Sequence, residues 1–472
     1  MTEDQNPLDP GLERIAQLLE AVAAHGAEHE VIRARNRVVD FMGAPPTPRR
    51  RPWKSATLAA IAILAPAVVA AVVAASILGV FRPTAFRVAP AGPTPSAEET
   101  PTPSELPSAS PSATPPGAPV APPRVRTVTV CDWAVVPSPN PPGFPELGRL
   151  AVIGPKDIWA VGGAGSSTGS KPFALHWDGV KWSLVATAPL AAGASAGFND
   201  VAGSATNDVW AVGSITDADK HEHPLAEHWD GANWMVKPTV DPNLGVSSAL
   251  AAVSAAGPGV VFAVGNTGGA ALIEHWDGAS WALQTSSSSS DGSLTDVAVN
   301  SAANAVAVGV AKGQSYLIER WDGSTWKQQG SPLYTGDPSY RGGLKGVTFV
   351  PGSDQAWAVG DGVVPGFAGQ PLALRFDGTW TQPGAPLPSD TVLNDVTAVG
   401  ASDVWAVGGR PNTAADALHW NGSSWTEVSF ANGTGASDIG AVSSTELWAV
   451  GGSSNPSNTQ WYTLIQHYTC HH

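Results

Sequence analysis

Apolar residues are distributed along this chain in three ways. Between residues 10 and 42, Leu12, Ile15, Leu18, Leu19 and Val22 recur at three- and four-residue spacing, which predicts a helix. Gly26 stands where that helix would break, before Val31, Ile32, Val38 and Val39. Residues 56–81, "ATLAAIAILAPAVVAAVVAASILGVF", carry no charge. As a helix they would reach ~39 Å at ~1.5 Å per residue, enough to cross a bilayer with some tilt. Pro66 is tolerable there as a kink. From residue 131 onward the apolar residues fall instead into short runs punctuated by Gly, Asp and Asn, the pattern of strands joined by tight turns.

Those short runs repeat. One core reads "DIWAVG" (157–162), "DVWAVG" (208–213), "VVFAVG" (260–265), "AVAVG" (305–309), "QAWAVG" (355–360), "DVWAVG" (403–408) and "ELWAVG" (446–451). A second core follows six of them, as in "ALHWDGVKW" (174–182), "AEHWDGANW" (226–234) and "LHWNGSSW" (418–425). Six steps separate Trp159 from Trp448, a period near 50 residues, which signals a propeller. Each unit parses into four strands, a to d. Strand a is of the "FNDVAGS" type (198–204). Strand b, "VWAVG", is apolar throughout, as suits a strand covered on both faces. Strand c is of the "LAEHW" type, and strand d starts at the Trp after "DG". The Asp-Gly step predicts a tight c–d hairpin with positive φ at both turn residues. The expected fold class is all-β: a seven-bladed β-propeller of four-stranded antiparallel blades.

The seventh unit ends at "LIQHYTC" (464–470) with no strand d after it, while "CDWAVVPS" (131–138) has the strand-d pattern and no a, b or c before it. The N-terminal strand therefore closes the last blade. Tyr468 then aligns with Trp177 and Trp133 with Trp182. Cys131 and Cys470 fall on the two sides of the severed hairpin turn, where a disulfide would replace the missing peptide connection. In the chain-entropy model such a clasp contributes roughly 4–5 kcal/mol or more. A disulfide also implies an oxidising compartment.

With these marks in view, residues 131–472 resemble the seven-bladed propellers of the galactose oxidase and kelch-like group: apolar strands ending in Gly-Gly ("WAVGG" at 159–163, 405–409 and 448–452), then an aromatic and a later Trp. WD-repeat propellers lack the regular Trp five residues past Trp-Asp, and "ERWDGSTW" (319–326) lacks the serine and spacing of a sialidase Asp-box. The resemblance carries over no copper chemistry, because no tyrosine–histidine set matches that group's metal site and ring closure accounts for both cysteines. No catalytic residue and no cofactor is implied.

Charge and composition refine this picture. The net charge of −15 concentrates in the C-terminal body, which holds −16 over residues 131–472. An acidic body repels phosphate backbones, so nucleic acid is excluded as the expected ligand. Arg49, Arg50, Arg51 and Lys54 flank the apolar run on one side against Arg82 on the other, which places the N-terminus in the cytoplasm and the C-terminal body outside. A cleaved signal peptide fits less well, because fifty-five residues precede the run. Residues 88–123 are Pro/Ser/Thr-rich and read as an extended stalk. The expected organisation is a cytoplasmic helical segment (1–54), a single transmembrane helix (55–81), a disordered Pro-rich linker (82–127) and the propeller (128–472). Residues 10–42 are the candidate contact for a cytoplasmic signalling partner.

Read alone, "LAEHWDGANW" (225–234) offers Glu227, His228 and Asp230 as chemistry. Its recurrence in every blade, with His176, His275, His419 and His467 matched by Arg320 and Arg375, marks it as scaffold. Its tryptophans should pack blade on blade. The c–d and a–b turns are short and alike, whereas the b–c and d–a loops vary. Variable loops are where binding specificity usually resides. The candidate ligand residues there are Tyr334, Asp337, Tyr340, Arg341, Asp361, Phe367 and Arg410, and His221, Glu222 and His223 form a candidate metal cluster. The expected function is a membrane-anchored, extracytoplasmic binding or sensing module that recognises a glycan or protein through that loop face. A glycan-active hydrolase or lyase using acidic residues, or a passive adhesion scaffold, are the alternatives.

Overall fold

The computed structural model describes residues 130–471 except loop positions 192, 218–219, 243–244, 287–291, 312–315, 331–340, 364–369, 384–386, 388–391, 410–415, 432–434, 455–456 and 458–459. The expected cytoplasmic helix, membrane span and Pro-rich linker lie outside the described residues.

Seven four-stranded antiparallel sheets form the blades of a propeller. Blade 1 contains strand a (Phe144–Gly154), b (Asp157–Ser166), c (Gly169–Trp177) and d (Trp182–Val185). Blades 2 to 6 span 195–236, 248–283, 292–328, 341–381 and 392–429. Blade 7 takes strands a to c from Asp438–Ser443, Glu446–Ser454 and Trp461–His471, and its strand d from Val130–Val135 at the other end of the domain. The a strands of neighbouring blades touch all the way round, including blade 7 to blade 1, so they line the axis and the d strands form the rim. Strand b is buried along its whole apolar run, as its lack of polar alternation requires.

Aromatic rings hold blade to blade. Trp159 of blade 1 lies against Trp229 and Trp234 of blade 2, with ring centroids 5.0 and 5.2 Å apart. Trp210 repeats this against Trp276 and Trp281, and Trp448 against Trp177 and Trp182. These edge-on and tilted contacts add to the area they bury. Blade 4 has Val306 where the others carry the aromatic, and there the Arg320 guanidinium sits 4.3 Å over the Phe376 ring of blade 5.

Ring closure follows the severed-hairpin logic. Trp133 pairs with Tyr468 as Trp182 pairs with Trp177. Cys131 stands opposite Cys470, and the two are disulfide-bonded.

The intact hairpins correct one expectation. Only their glycines take positive φ, for example 92° at Gly179 and 97° at Gly231. The loop between Trp177 and Trp182 is not a two-residue turn: the Asp178 carboxylate accepts the amides of Val180 (2.8 Å) and Lys181 (2.9 Å). Asp230, Asp277, Asp322 and Asn421 do the same in their blades. The side chain satisfies the turn amides, so the aspartate itself need not enter the left-handed region.

Candidate functional site

The most concentrated polar chemistry lies on the axis. One strand-a position, the second residue of motifs such as "NDV" and "TDV", projects there from each blade. It reads Arg149, Asp200, Ala252, Asp296, Gly346, Asp395 and Asp438 around the ring. Each aspartate accepts a backbone amide from strand a of the next blade: Asp200 from Val253 (2.7 Å), Asp296 from Val347 (2.6 Å), Asp395 from Ile439 (3.2 Å) and Asp438 from Leu150 (2.5 Å). Arg149 reaches across the axis. Its Nη1 lies 2.9 Å from Asp395 Oδ1 and 3.2 Å from Asp438 Oδ1, and its Nη2 donates to the Lys345 carbonyl of blade 5 at 3.2 Å.

Two carboxylates, Asp395 and Asp438, thus pair with one buried guanidinium, whose charge also reaches Asp296 and Asp200. Burial raises Asp296 to about 6, against the pull of Arg149. Burial also raises Asp200 well above the ordinary carboxylate range, and burial with repulsion from Asp438 does the same for Asp395. Burial works against the Arg149 charge, but Asp395, Asp438, Asp296 and Asp200 outweigh it and hold the guanidinium protonated. This cluster was not foreseen. Its signal was present: an aspartate before a β-branched residue in four strand-a segments, with an arginine at the same place in blade 1.

A second ring of buried polar groups sits in strand c. Glu227, Glu274 and Glu319 occupy the place that Leu175, Leu374 and Leu418 fill elsewhere, and Gln466 takes it in blade 7. Each ties down the loop arriving from the preceding blade. Glu227 accepts the Ala188 amide (3.0 Å), Glu274 the Val240 amide (3.0 Å), Glu319 the Ser286 hydroxyl (2.9 Å) and Gln466 the Ala431 amide (3.2 Å). Burial pushes Glu227 and Glu274 up to about 7, with those amides pulling the other way. Because the folded values lie above the unfolded ones, the stability these groups contribute is present at low pH. It is lost as pH rises through about 7. Glu227→Gln and Glu274→Gln should therefore stabilise the propeller at about pH 8.5, by up to roughly 3 kcal/mol each, and change little near pH 4.5. Denaturant midpoints of variant and parent at the two pH values check this; a difference independent of pH would contradict it.

The strand-c histidines are structural, as their recurrence implied. His176, His228 and His419 bond through Nε2 to Asp157 (2.8 Å), Asp208 (2.9 Å) and Asp403 (2.9 Å) at the start of the neighbouring strand b, and His467 bonds to Glu446 (3.2 Å). Each also stacks on the tryptophan two residues after that acid, as His467 does on Trp448 at 3.8 Å. Arg320 makes the corresponding bond to Asn304 (3.1 Å). His275 faces a strand that begins with Val260, and burial lowers its pKa.

At the b–c and d–a end, His223 is held between two carboxylates, Nδ1 to Asp241 (2.7 Å) and Nε2 to Asp217 (3.2 Å). Asp241, then Asp217, raises its pKa against a small desolvation. Glu222, on the opposite side of the strand, accepts from Ser214 (2.6 Å). His221 is exposed, its Nδ1 3.9 Å from Asp217. Among the described residues no group of three or more His, Cys, Asp or Glu side chains is arranged to hold a metal ion. Asp361 pairs with Lys345 (3.0 Å), and Arg341 begins strand a of blade 5. Tyr334, Asp337, Tyr340, Phe367 and Arg410 lie outside the described residues.

Two clefts mark the two ends of blade 1. At the variable end a cleft of about 600 Å³ is walled by Pro141, Pro142, Pro172, Phe173 and Leu184. At the uniform-turn end a cleft of about 620 Å³ lies between blades 1 and 2.

Three solved structures illustrate what the chain is similar to. A structure of YCF48 bound to D1 peptide is 18% identical, with 71% of this chain and 96% of that chain covered and a TM-score of 0.47. YCF48 from Cyanidioschyzon merolae is 16% identical over 72% and 98%, with a TM-score of 0.46. The RRP9 WD40 repeats are 10% identical over 72% and 98%, with a TM-score of 0.47. No protein-family model and no curated protein matches the chain.

Proposed function

We propose that the propeller is a recognition module, held outside the cytoplasm by a single membrane span, that binds a protein or glycan through its b–c and d–a loops. The difference between its two ends carries this reading. The c–d turns of blades 1 to 4 repeat one aspartate-capped geometry, with Asn421 in that place in blade 6, whereas the b–c and d–a segments differ in sequence from blade to blade and the apolar cleft beside blade 1 lies at their end. Phe144 and Leu184 stand exposed there, at 51 and 53%. An apolar patch rimmed by polar loops suits macromolecular contact. The sequence puts Tyr334, Asp337, Tyr340, Arg341, Asp361, Phe367 and Arg410 in or beside the variable b–c and d–a segments, and this reading assigns specificity to them. The Gly-Gly and Trp marks of the blades support a kelch-like type.

The test is an array of extracellular proteins and glycans probed with the full-length chain. Leu184→Asp should weaken the retained binder by about tenfold or more, while Val180→Asp, in an exposed turn at the other end, should not. Binding indifferent to Leu184→Asp would overturn the assignment of the face.

The hydrolase reading draws on a different observation: Asp395 and Asp438 gather on one arginine nitrogen at the axis. Paired carboxylates are the minimum for glycoside hydrolysis. Each of these two, however, also accepts a backbone amide from the next blade, which favours a structural duty. Turnover of a polysaccharide panel that is abolished by Asp438→Asn would restore the enzyme.

A further inference from the structure

The cleft between blades 1 and 2 lies at the end with the uniform turns, where no ligand was expected. Its walls are the a–b turn of blade 1 with Lys156 and Asp157, the Trp159 and His176 side chains, Thr206 in the a–b turn of blade 2, and Trp229 at the end of that blade's strand c. We propose that this cleft binds a saccharide residue.

Two observations support this assignment. First, Trp229 is half-buried: it packs its indole on Trp159 (centroids 5.0 Å apart) and also lines the open cleft. A pyranose presents an apolar C–H face that lies flat on such a ring and a rim of hydroxyls that must be met by polar groups. Second, that rim has partners. Asp157 spends Oδ1 on His176 Nε2 at 2.8 Å, which orients both side chains and leaves the second carboxylate oxygen as an acceptor at the cleft wall.

The site lies at the opposite end from the apolar cleft beside blade 1, so the two bind independently. The full-length chain, probed on an array of neutral and acidic saccharides, should retain at least one. Calorimetry with that saccharide then reads the cleft. Thr206→Trp, a change in an exposed turn at the cleft wall, should weaken binding by about tenfold or more without affecting the fold. Trp229→Ala should also weaken binding by about tenfold or more while loosening the contact with Trp159, and Trp229→Tyr, which keeps a stacking ring, should stay within about threefold of the parent. Leu184→Asp should leave saccharide binding unchanged. An array that retains no saccharide would overturn the proposal, as would binding indifferent to Thr206→Trp. Saccharide binding lost in Leu184→Asp but not in Thr206→Trp would overturn it while supporting the variable-face reading.

Discussion

Replacing Arg149 with alanine is expected to destabilise the propeller by about 3–5 kcal/mol at about pH 8, and by much less near pH 5. The guanidinium is the cation that bonds Asp395 and Asp438, and its field reaches Asp200 and Asp296. Removing it leaves buried carboxylates with no counter-charge. Their folded pKa values are already raised, Asp296 to about 6, so the stability they contribute is present below the ordinary carboxylate range and lost as pH rises. Without Arg149 those values rise further and the loss deepens between pH 5 and 8. Asp395→Asn in the Arg149→Ala background should recover part of it, because one of the unpaired charges is then gone. Denaturant unfolding of the parent, the single and the double variant at the two pH values measures the effect. An equal cost at both would show that Arg149 acts by packing alone.

Opening the Cys131–Cys470 clasp should produce the second large effect. The bond joins residues 339 apart in sequence, so the loop it closes is the whole ring. The chain-entropy model assigns such a loop about 6 kcal/mol. Over a domain of this size that corresponds to a drop in Tm of roughly 8 °C. Cys131→Ser with Cys470→Ser should match the reduced parent. Strand d of blade 7 would still be held by its pairing with Tyr468 and by Trp133 against Trp405 and Phe430, so the ring should loosen at this blade first. Identical melting of oxidised and reduced protein would refute the clasp.

The two predictions differ in how legible their residues were. Cys131 and Cys470 could be placed opposite each other without coordinates, because six intact hairpins define the position each occupies. Arg149 could not. It is a single arginine in a column of aspartates, and its meaning depends on which blades face one another across the axis. The same limit applied to the turns. "WDG" marks four hairpins, with "FDG" and "WNG" in two more, and the motif points to the backbone of the aspartate, whereas in the structure its carboxylate does the work. In the sequence the strand-c glutamates stand out only as part of a repeated strand. Burial made them anchors for the incoming loops.

The sequence by itself determined the blade count, the strand order, the closure by the N-terminal strand and the structural duty of the recurring histidines and tryptophans. All of these follow from local periodicity repeated seven times, and repetition separates scaffold from exception. Only the tertiary structure decided what gathers at the axis, which buried acids tie one blade to the next, and where clefts open. Those depend on side chains brought together across tens to hundreds of residues. Their energies come from burial and charge proximity, and a linear pattern encodes neither quantity.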